Sequence, residues 1–243
     1  MMECSTMTNQ TVIQNVFKQN NIDIDGEKLQ KFCIYYDLLI EYNKKYNLTA
    51  ITDIQEVSAK HFVDSLLGAK LISQNSTALD IGCGAGFPSI PLAIMRPDIN
   101  FTLIDSVGKK INFINVIINE LNLNNVQALH TRAQEFCISS NRERFDYVVS
   151  RALAPLNVLL ELCIPFLNQT GYMLAYKGIN YQEEITDAQN ALNKLYAKIN
   201  NIQCYNLINN EEIIKRYILL INKTQDTPTI YPRLKNLIKT NPL

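Results

Sequence analysis

The chain has 243 residues, of which 47% are hydrophobic and 19% are charged. This supply of apolar residues excludes a globally disordered chain, and the length predicts one large domain with room for a small addition. Lys and Arg together number 23, as do Asp and Glu, so the formal net charge is zero. That balance excludes a strongly basic nucleic-acid-binding protein, although a local basic face remains possible.

Cysteine and histidine usage bounds the chemistry further. The six cysteines are too far apart in sequence to form a CxxC redox or zinc pair, and two histidines are too few for a multi-histidine metal site. The first residues show no signal peptide, and no uncharged apolar run reaches the roughly 18 residues that a membrane span needs. We therefore expect a reduced, cytoplasmic protein without a metal or a membrane segment.

Residues 1–76 are predicted to form a helical N-terminal region. Apolar side chains recur at helical spacing from Asp25 to about Tyr46, which predicts one long helix. Asp53, with Glu56 three residues later, predicts the N-cap of a further helix. A short polar stretch ends this region and is the predicted linker to the next one.

Residues 77–227 alternate between short apolar runs and helical stretches, which is typical of a parallel sheet with helices on both faces. Strands are predicted at residues 78–81, 101–105, 126–129, 145–149, 171–176, 203–208 and 216–222. Helices are predicted at about 88–96, 108–122, 155–167 and 181–200. The last two strands have a short connection, so one of them should pair antiparallel. The basic tail, 228–243, is expected to be extended or loosely ordered.

A glycine-rich loop after the first strand is the strongest local signal. It begins at Asp80 and places Gly82, Gly84 and Gly86 where a ligand can approach the backbone closely. A dinucleotide-binding GxGxxG fingerprint would need its third glycine at the position of Phe87. The spacing therefore favours S-adenosylmethionine over NAD, and an NAD-dependent oxidoreductase is the alternative.

Asp105 ends the second strand and is a further candidate ligand contact. An acid at this place can accept hydrogen bonds from both ribose hydroxyls of a nucleoside cofactor. Alternatively, Asp105 caps the helix that begins shortly afterwards. Cys83, inside the glycine loop, is expected to be a small buried residue and not a nucleophile.

Several stretches resemble the bacterial small-subunit rRNA guanine-N7 methyltransferase family, called RsmG or GidB. They are YNLT at 46–49, HFVDSL at 61–66, the glycine loop with FP at 87–88, RP at 96–97, LIDS at 103–106, GKK at 108–110, SRA at 150–152, KG at 177–178, YPR at 231–233 and NPL at 241–243. The resemblance implies a Rossmann-like class I methyltransferase fold, α/β, with a seven-stranded, mostly parallel sheet and a small helical N-terminal segment. It also implies methylation of N7 of guanine 527 in 16S rRNA.

The same resemblance adds cofactor contacts to those argued from the loop. The family's contacts fall on Gly82, Phe87, Ala133, Gln134 and Arg151, and Gln134 stands where many relatives have an acid. The complete predicted set for S-adenosylmethionine is Asp80, Gly82, Gly84, Gly86, Phe87, Asp105, Ala133, Gln134 and Arg151.

Arg151, at the end of the fourth strand, is the predicted positioning residue for catalysis. Guanine N7 carries a lone pair and no proton, so it can attack a sulfonium methyl without a general base, and catalysis is mainly positioning. Arg151 could bind the methionine carboxylate, a phosphate or guanine O6. The alternative is a surface ion pair with Asp146 or Glu143.

Lys177 and His61 are secondary catalytic candidates at the same edge. His61 and Asp64 lie three residues apart, so a helix-packing pair is an equally good interpretation. Candidate RNA contacts are Lys44, Lys45, Arg96, Lys109, Lys110, Arg132, Arg142, Arg144, Arg151, Lys177 and the basic tail. The expected partner is the small ribosomal subunit, bound by a monomer. A non-catalytic RNA-binding or assembly factor and a small-molecule methyltransferase remain alternatives.

Overall fold

The computed structural model describes the backbone of residues 2–243 and the side chains of residues 8–138 and 141–243. Its strands are β1 (Thr77–Ile81), β2 (Asn100–Asp105), β3 (Val126–His130), β4 (Phe145–Arg151), β5 (Leu167–Lys177), β6 (Ala197–Asn209) and β7 (Glu212–Lys223). They form one sheet in the order β3-β2-β1-β4-β5-β7-β6. Every neighbouring pair is parallel except those of β7, which runs antiparallel to both β5 and β6. The predicted Rossmann-like sheet and its antiparallel end are confirmed.

Helices cover both faces of this sheet. The N-terminal ones are α1 (Met2–Gln19), α2 (Gly26–Tyr46), α3 (Ile54–Val57) and α4 (Asp64–Leu66), the last two joined by a π-helical turn at Ser58–Val63. The others are α5 (Ser89–Met95), α6 (Gly108–Glu120), α7 (Ala133–Phe136), α8 (Leu156–Cys163), α9 (Tyr181–Asp187), α10 (Gln189–Lys194) and α11 (Lys235–Thr240). The predicted N-cap at Asp53 is confirmed, because its carboxylate accepts a hydrogen bond from the Glu56 amide.

A run of aromatic rings joins the N-terminal helices to the sheet. Phe17, Phe32, Phe62, Tyr35 and Phe87 contact one another in that order, with successive ring centroids 5.0 to 5.4 Å apart. Such aromatic contacts add to the free energy gained from burying apolar surface. Both sides of residue 76 contribute to one hydrophobic cluster, and the division of the chain at that residue stays a prediction.

The prediction of a helix at 181–200 is wrong in its second half. The helical segment ends at Lys194, Tyr196 takes a positive φ of 51°, and β6 begins at Ala197. A positive φ cannot continue a right-handed helix, so the chain leaves α10 there. The predicted helix at 155–167 also ends early, at Cys163, and a 3-10 turn leads into β5.

The expectation of an extended or loosely ordered tail is also wrong. The tail forms α11, and Arg233 anchors it by donating three hydrogen bonds of 2.6 to 2.8 Å to the carboxylate of Glu161. Arg142 donates to the carbonyl oxygens of Thr227, Pro228 and Tyr231. Within residues 2–243, no helix has both the length and the hydrophobicity that crossing a membrane requires.

Candidate functional site

The glycine loop joins β1 to α5 at the carboxyl edge of the sheet. The amides of Gly82 and Cys83 both donate to the Ile104 carbonyl, which ties the start of the loop to β2. Gly84, at a φ of 59°, has open space where a Cβ would stand, with no atom nearer than 3.9 Å. This bare backbone faces a cavity, as a close ligand approach requires.

Gly86 lies in a closely packed part of the loop. At its φ of 99°, a Cβ would lie 2.6 to 2.9 Å from atoms of Ile90, Tyr35 and Ile114. The Tyr35 hydroxyl also donates a 2.6 Å hydrogen bond to the Ala85 carbonyl. Gly86 is therefore a packing position that lets α2 hold the loop, and it does not line the cavity. The contact of Gly86 with the cofactor stays a prediction.

The cavity beside the loop, which we call the cofactor cavity, has a volume of about 510 Å³. It lies outside the carboxyl ends of β1, β2 and β4, where α/β sheets bind ligands. Predicted cofactor residues line it at Gly82, Gly84, Phe87, Asp105, Ala133, Gln134 and Arg151. Seven of the nine residues predicted to bind the cofactor therefore line this cavity.

Asp105 holds the glycine loop and lines the cofactor cavity. One carboxylate oxygen accepts the Val107 amide at 2.9 Å, just before α6, and the other accepts the Gly84 amide at 3.1 Å. Lys110 lies 3.6 Å from the same carboxylate. Val107 is the N-cap residue of α6, so Asp105 is not the helix cap considered from the sequence, and its contact with the ribose stays a prediction.

Asp80 lies behind the loop and not on the cavity wall. Its side chain is fully buried, and neither carboxylate oxygen makes a hydrogen bond of normal geometry to another described residue. Burial raises the pKa of Asp80 to about 7, although nearby Ser89 and the charge of Arg151 partly oppose that rise. Asp80 does not line the cofactor cavity, and its contact with the cofactor stays a prediction.

Arg151 pairs with neither Asp146 nor Glu143, the two acids considered from the sequence. It donates to Asp64 at 2.8 Å, and Arg216 of β7 donates to the other oxygen of the same carboxylate at 3.1 Å. Asp146 accepts instead from Thr77 and Asn168, and Glu143 accepts from Lys223. We call Asp64, Arg151 and Arg216 the Asp64 cluster.

His61 lies beside this cluster, against the ring of Phe87. The two rings are stacked with centroids 4.6 Å apart, and the Arg151 guanidinium lies 5.1 Å from the same Phe87 ring. The Nε2 atom of His61 is 2.8 Å from the Thr49 hydroxyl, and its Nδ1 atom is 3.2 Å from the Lys60 carbonyl oxygen. Burial, with a smaller contribution from the Arg151 charge, lowers the pKa of His61 to about 4. The imidazole is therefore neutral near pH 7.

A second cavity of about 910 Å³ adjoins the cofactor cavity, and we call it the outer cavity. The two share His61, Arg151, Ala152 and Leu153, which form their junction. Lys177 lines the outer cavity only, where it donates to Glu184 at 2.6 Å. Lys177 is thus held in an ion pair away from the junction, against the expectation that it acts beside the cofactor.

Several basic residues predicted to hold RNA are engaged inside the protein. Arg96 donates to Asp98 and to the carbonyls of Ala69 and Ile72, while Arg142 and Arg233 hold the tail as described above. Arg132, Arg144 and Lys109 stay exposed or partly exposed. No group of three or more metal-ligating side chains occurs in the part of the chain that the structure describes.

Arg216 lines the outer cavity and was not singled out from the sequence, whereas Lys235, predicted only as part of the RNA-binding basic tail, lines the cofactor cavity. Arg216 is 152 residues from Asp64 along the chain, and Lys235 reaches the cofactor cavity from the tail. No local spacing links either residue to the loop. Only the order of the strands and the docking of the tail bring them there.

Comparison with known proteins identifies the relatives of this chain. Residues 28–214 match the family model GidB, described as rRNA small subunit methyltransferase G. The ribosomal RNA small subunit methyltransferase G of Desulfitobacterium hafniense (strain Y51) is 46% identical over 214 residues, which cover 88% of each chain. The protein of that name from Clostridium botulinum (strain 657 / Type Ba4) is 40% identical over 96% of this chain and 98% of its own.

Solved structures with little sequence similarity share the fold. A precorrin-6y C5,15-methyltransferase from Geobacter metallireducens has a TM-score of 0.51 at 15% identity, covering 74% of this chain and 92% of its own. TYW2 of M. jannaschii, solved in complex with AdoMet, has a TM-score of 0.53 at 15% identity, covering 67% of this chain and 76% of its own. The sheet and its helices are therefore those of class I methyltransferases.

Proposed function

The chain belongs to the rRNA small subunit methyltransferase G family, and from that premise we propose that it methylates N7 of guanine 527 in 16S rRNA. The chain is an S-adenosylmethionine-dependent rRNA methyltransferase. What we propose is the methylated atom, N7, and the methylated nucleotide, guanine 527. The proposal places the reaction in the cytoplasm, on the small ribosomal subunit. We further propose that the protein acts as a monomer without a metal.

The cofactor cavity suits S-adenosylmethionine in size and in lining. Its volume of about 510 Å³ lies within the range of small-molecule sites. The open space at Gly84 admits a ligand against the backbone, and the Asp105 carboxylate is placed to accept from ribose hydroxyls. Ala133 and Gln134 would hold the adenine end. The cofactor supplies an electrophilic sulfonium methyl, and the protein's task is to hold the acceptor in line with it.

The proposal that guanine N7 is the acceptor rests on the lack of an effective general base among the residues described at the junction. Of the groups described there, His61 is neutral with a pKa of about 4, so it is a poor proton acceptor near pH 7. Asp64 accepts hydrogen bonds from two arginines and Asp105 accepts from two backbone amides, so each carboxylate is already engaged. An amine or hydroxyl acceptor would need proton removal, whereas N7 attacks with its own lone pair. This environment supports an acceptor that needs only positioning.

Labelled methyl transfer to isolated small subunits tests the proposed substrate. Subunits lacking the modification should accept one methyl each from S-adenosylmethionine. Subunits in which guanine 527 is replaced by adenine should accept none, and they serve as the matched control. Equal labelling of the two kinds of subunit would contradict the proposed nucleotide.

The same assay distinguishes the remaining alternatives. A non-catalytic assembly factor would bind the cofactor or the subunit without transferring label. A small-molecule methyltransferase would leave the subunits unlabelled at any concentration. Either result would leave the fold and cofactor assignments in place and remove the proposed substrate.

A further inference from the structure

The outer cavity contains a charged cluster with an unbalanced charge. Asp64, with 8% of its side chain exposed, accepts from Arg151 at 2.8 Å and from Arg216 at 3.1 Å. One carboxylate thus serves two guanidinium groups, which leaves one positive charge in excess. Burying an excess charge costs free energy unless a ligand or water offsets it. The cluster is therefore suited to hold an anion.

Arg216 has donor capacity that the protein does not use. Its Nε donates to Asp64, and its Nη1 lies 3.4 Å from the Lys215 carbonyl. Its Nη2 makes no hydrogen bond to any residue that the structure describes, and 27% of the side chain is exposed. A guanidinium anchored on one side with a free edge on the other presents a preorganised donor to the outer cavity.

The other cations of the outer cavity are already paired. Lys177 donates to Glu184, and Lys60 donates to Glu56. The further acids on its wall, Glu183 and Asp187, come from α9 and not from β4 or β7. A phosphate entering this cavity would therefore be drawn toward the Asp64 cluster and away from α9.

Arg216 and Arg151 lie at different places in the two cavities, so we expect them to contact different parts of the substrate. Arg151 lines both cavities at their junction, whereas Arg216 lines the outer cavity alone. If N7 of the acceptor guanine lies at the junction, O6 lies next to it on the same edge of the base, within the region of Arg151. Arg216 then lies farther along the acceptor nucleotide, where the charged group is the sugar-phosphate backbone.

We propose that Arg216 binds a backbone phosphate of the acceptor nucleotide in the outer cavity, with Asp64 as the residue that positions it. This inference rests on the proposed function, because it takes the outer cavity as the acceptor site. Arginine matches phosphate geometry through paired N–H donors, and such contacts fix the register of a nucleic acid without reading its bases. Arg216 would thus contribute to substrate affinity and not to the methyl transfer itself.

Steady-state kinetics on unmodified small subunits, repeated over a series of salt concentrations, test this proposal. Arg216→Ala should raise KM for subunits about tenfold, with kcat and the affinity for S-adenosylmethionine unchanged. The slope of log(kcat/KM) against log salt concentration should shrink by about 0.7, the loss expected for one phosphate contact to single-stranded RNA. Arg216→Lys should keep most of that slope while raising KM. Lys215→Ala removes an exposed positive charge one residue away and should change neither quantity.

Three results would overturn the proposal. Unchanged KM in Arg216→Ala would show that the residue does not touch the substrate. A raised KM with an unchanged salt slope would assign Arg216 to an uncharged atom such as a base oxygen. Equal changes of KM and salt slope in Arg216→Ala and Lys215→Ala would show that both residues act only through the general positive charge of the surface.

Two further results keep the test decisive. If Arg216→Ala fails to fold, Arg216→Lys serves as the test, because it preserves a cation beside Asp64. An unchanged KM in Arg216→Lys would then count against the proposal. Wild-type protein that binds S-adenosylmethionine but methylates no subunit would overturn the proposed function and this inference with it. An active wild type with an unaffected Arg216→Ala overturns the inference alone.

Discussion

Two aspartates beside the glycine loop have the same chemistry but opposite environments. Asp105 accepts hydrogen bonds from two backbone amides and lies beside Lys110. Asp80 is fully buried without a hydrogen bond of normal geometry, and burial raises its pKa to about 7. The sequence alone placed both acids near strand ends, and only the structure distinguishes the hydrogen-bonded carboxylate on the cavity wall from the carboxylate behind the loop.

The raised pKa of Asp80 predicts a pH-dependent stability. An unfolded aspartate titrates near its model value of 3.8, so between about pH 4 and pH 7 the folded protein binds the extra proton. Stability should therefore fall as pH rises through this window and level off above it, by an amount of order 4 kcal/mol at most. Asp80→Asn keeps the shape and removes the charge. Its stability relative to wild type should rise with pH across the window when both are unfolded by urea without cofactor.

A matched substitution controls for general charge effects. Asp23 is exposed, so Asp23→Asn should differ from wild type by a small amount that does not vary with pH. A pH-independent difference between Asp80→Asn and wild type would contradict the raised pKa.

At the scale of elements, the loop between β1 and α5 depends on α2 as much as on the sheet. The Tyr35 hydroxyl of α2 reaches the Ala85 carbonyl, and its ring contacts Phe87. The helical N-terminal region thus positions the loop that lines the cofactor cavity. This link could not be read from the sequence, because Tyr35 lies 50 residues before its partner Ala85.

Alanine substitutions at Gly84 and Gly86 should have different effects, the first on cofactor binding and the second on the stability of the fold. Gly84→Ala adds a methyl to open space, so it should cost only about 1 kcal/mol of stability from its positive φ but weaken cofactor binding about tenfold. Gly86→Ala places a methyl within 3 Å of three packed side chains, so it should cost about 3 kcal/mol or more. Urea unfolding and calorimetric titration with S-adenosylmethionine measure the two effects. Equal losses of stability in the two variants would contradict this division.

The accuracy of the predicted strands differs along the chain. The predictions for β1, β2 and β3 agree with the structure within about one residue, because these strands form short apolar runs between turn residues. The hairpin of β6 and β7 was predicted too short, since β6 alternates exposed and half-buried residues through a polar sequence. Its helix-like first half, before residue 203, is overridden by pairing with β7.

At the scale of the whole molecule, the tail closes the structure over α8. Glu161 of α8 has a fully buried side chain, and Arg233 supplies its counter-charge from 72 residues away. Net charge and composition gave no sign of this pair, and a basic tail suggested RNA binding instead. A buried carboxylate needs a partner, and the fold supplies it from the end of the chain.

Removing the Arg233 side chain should therefore destabilise the protein strongly. Arg233→Ala leaves the Glu161 carboxylate buried with one backbone donor, which should lower the free energy of unfolding by about 3 kcal/mol. In the Glu161→Gln background, the same substitution should cost much less, because the buried charge is gone. Urea unfolding of the four proteins in this double-mutant cycle measures the coupling. A loss in Arg233→Ala no larger than about 0.5 kcal/mol would show that the tail does not stabilise the fold.

The identity of the methylated atom tests whether the site positions an acceptor that needs no general base. Small subunits lacking the modification would be treated with the protein and S-adenosylmethionine, and their 16S rRNA digested to nucleosides for mass spectrometry with synthetic standards. We expect the methylated nucleoside to be 7-methylguanosine. A methyl on an exocyclic amine or on a ribose hydroxyl would contradict it, because those acceptors must lose a proton to a base that the junction does not offer.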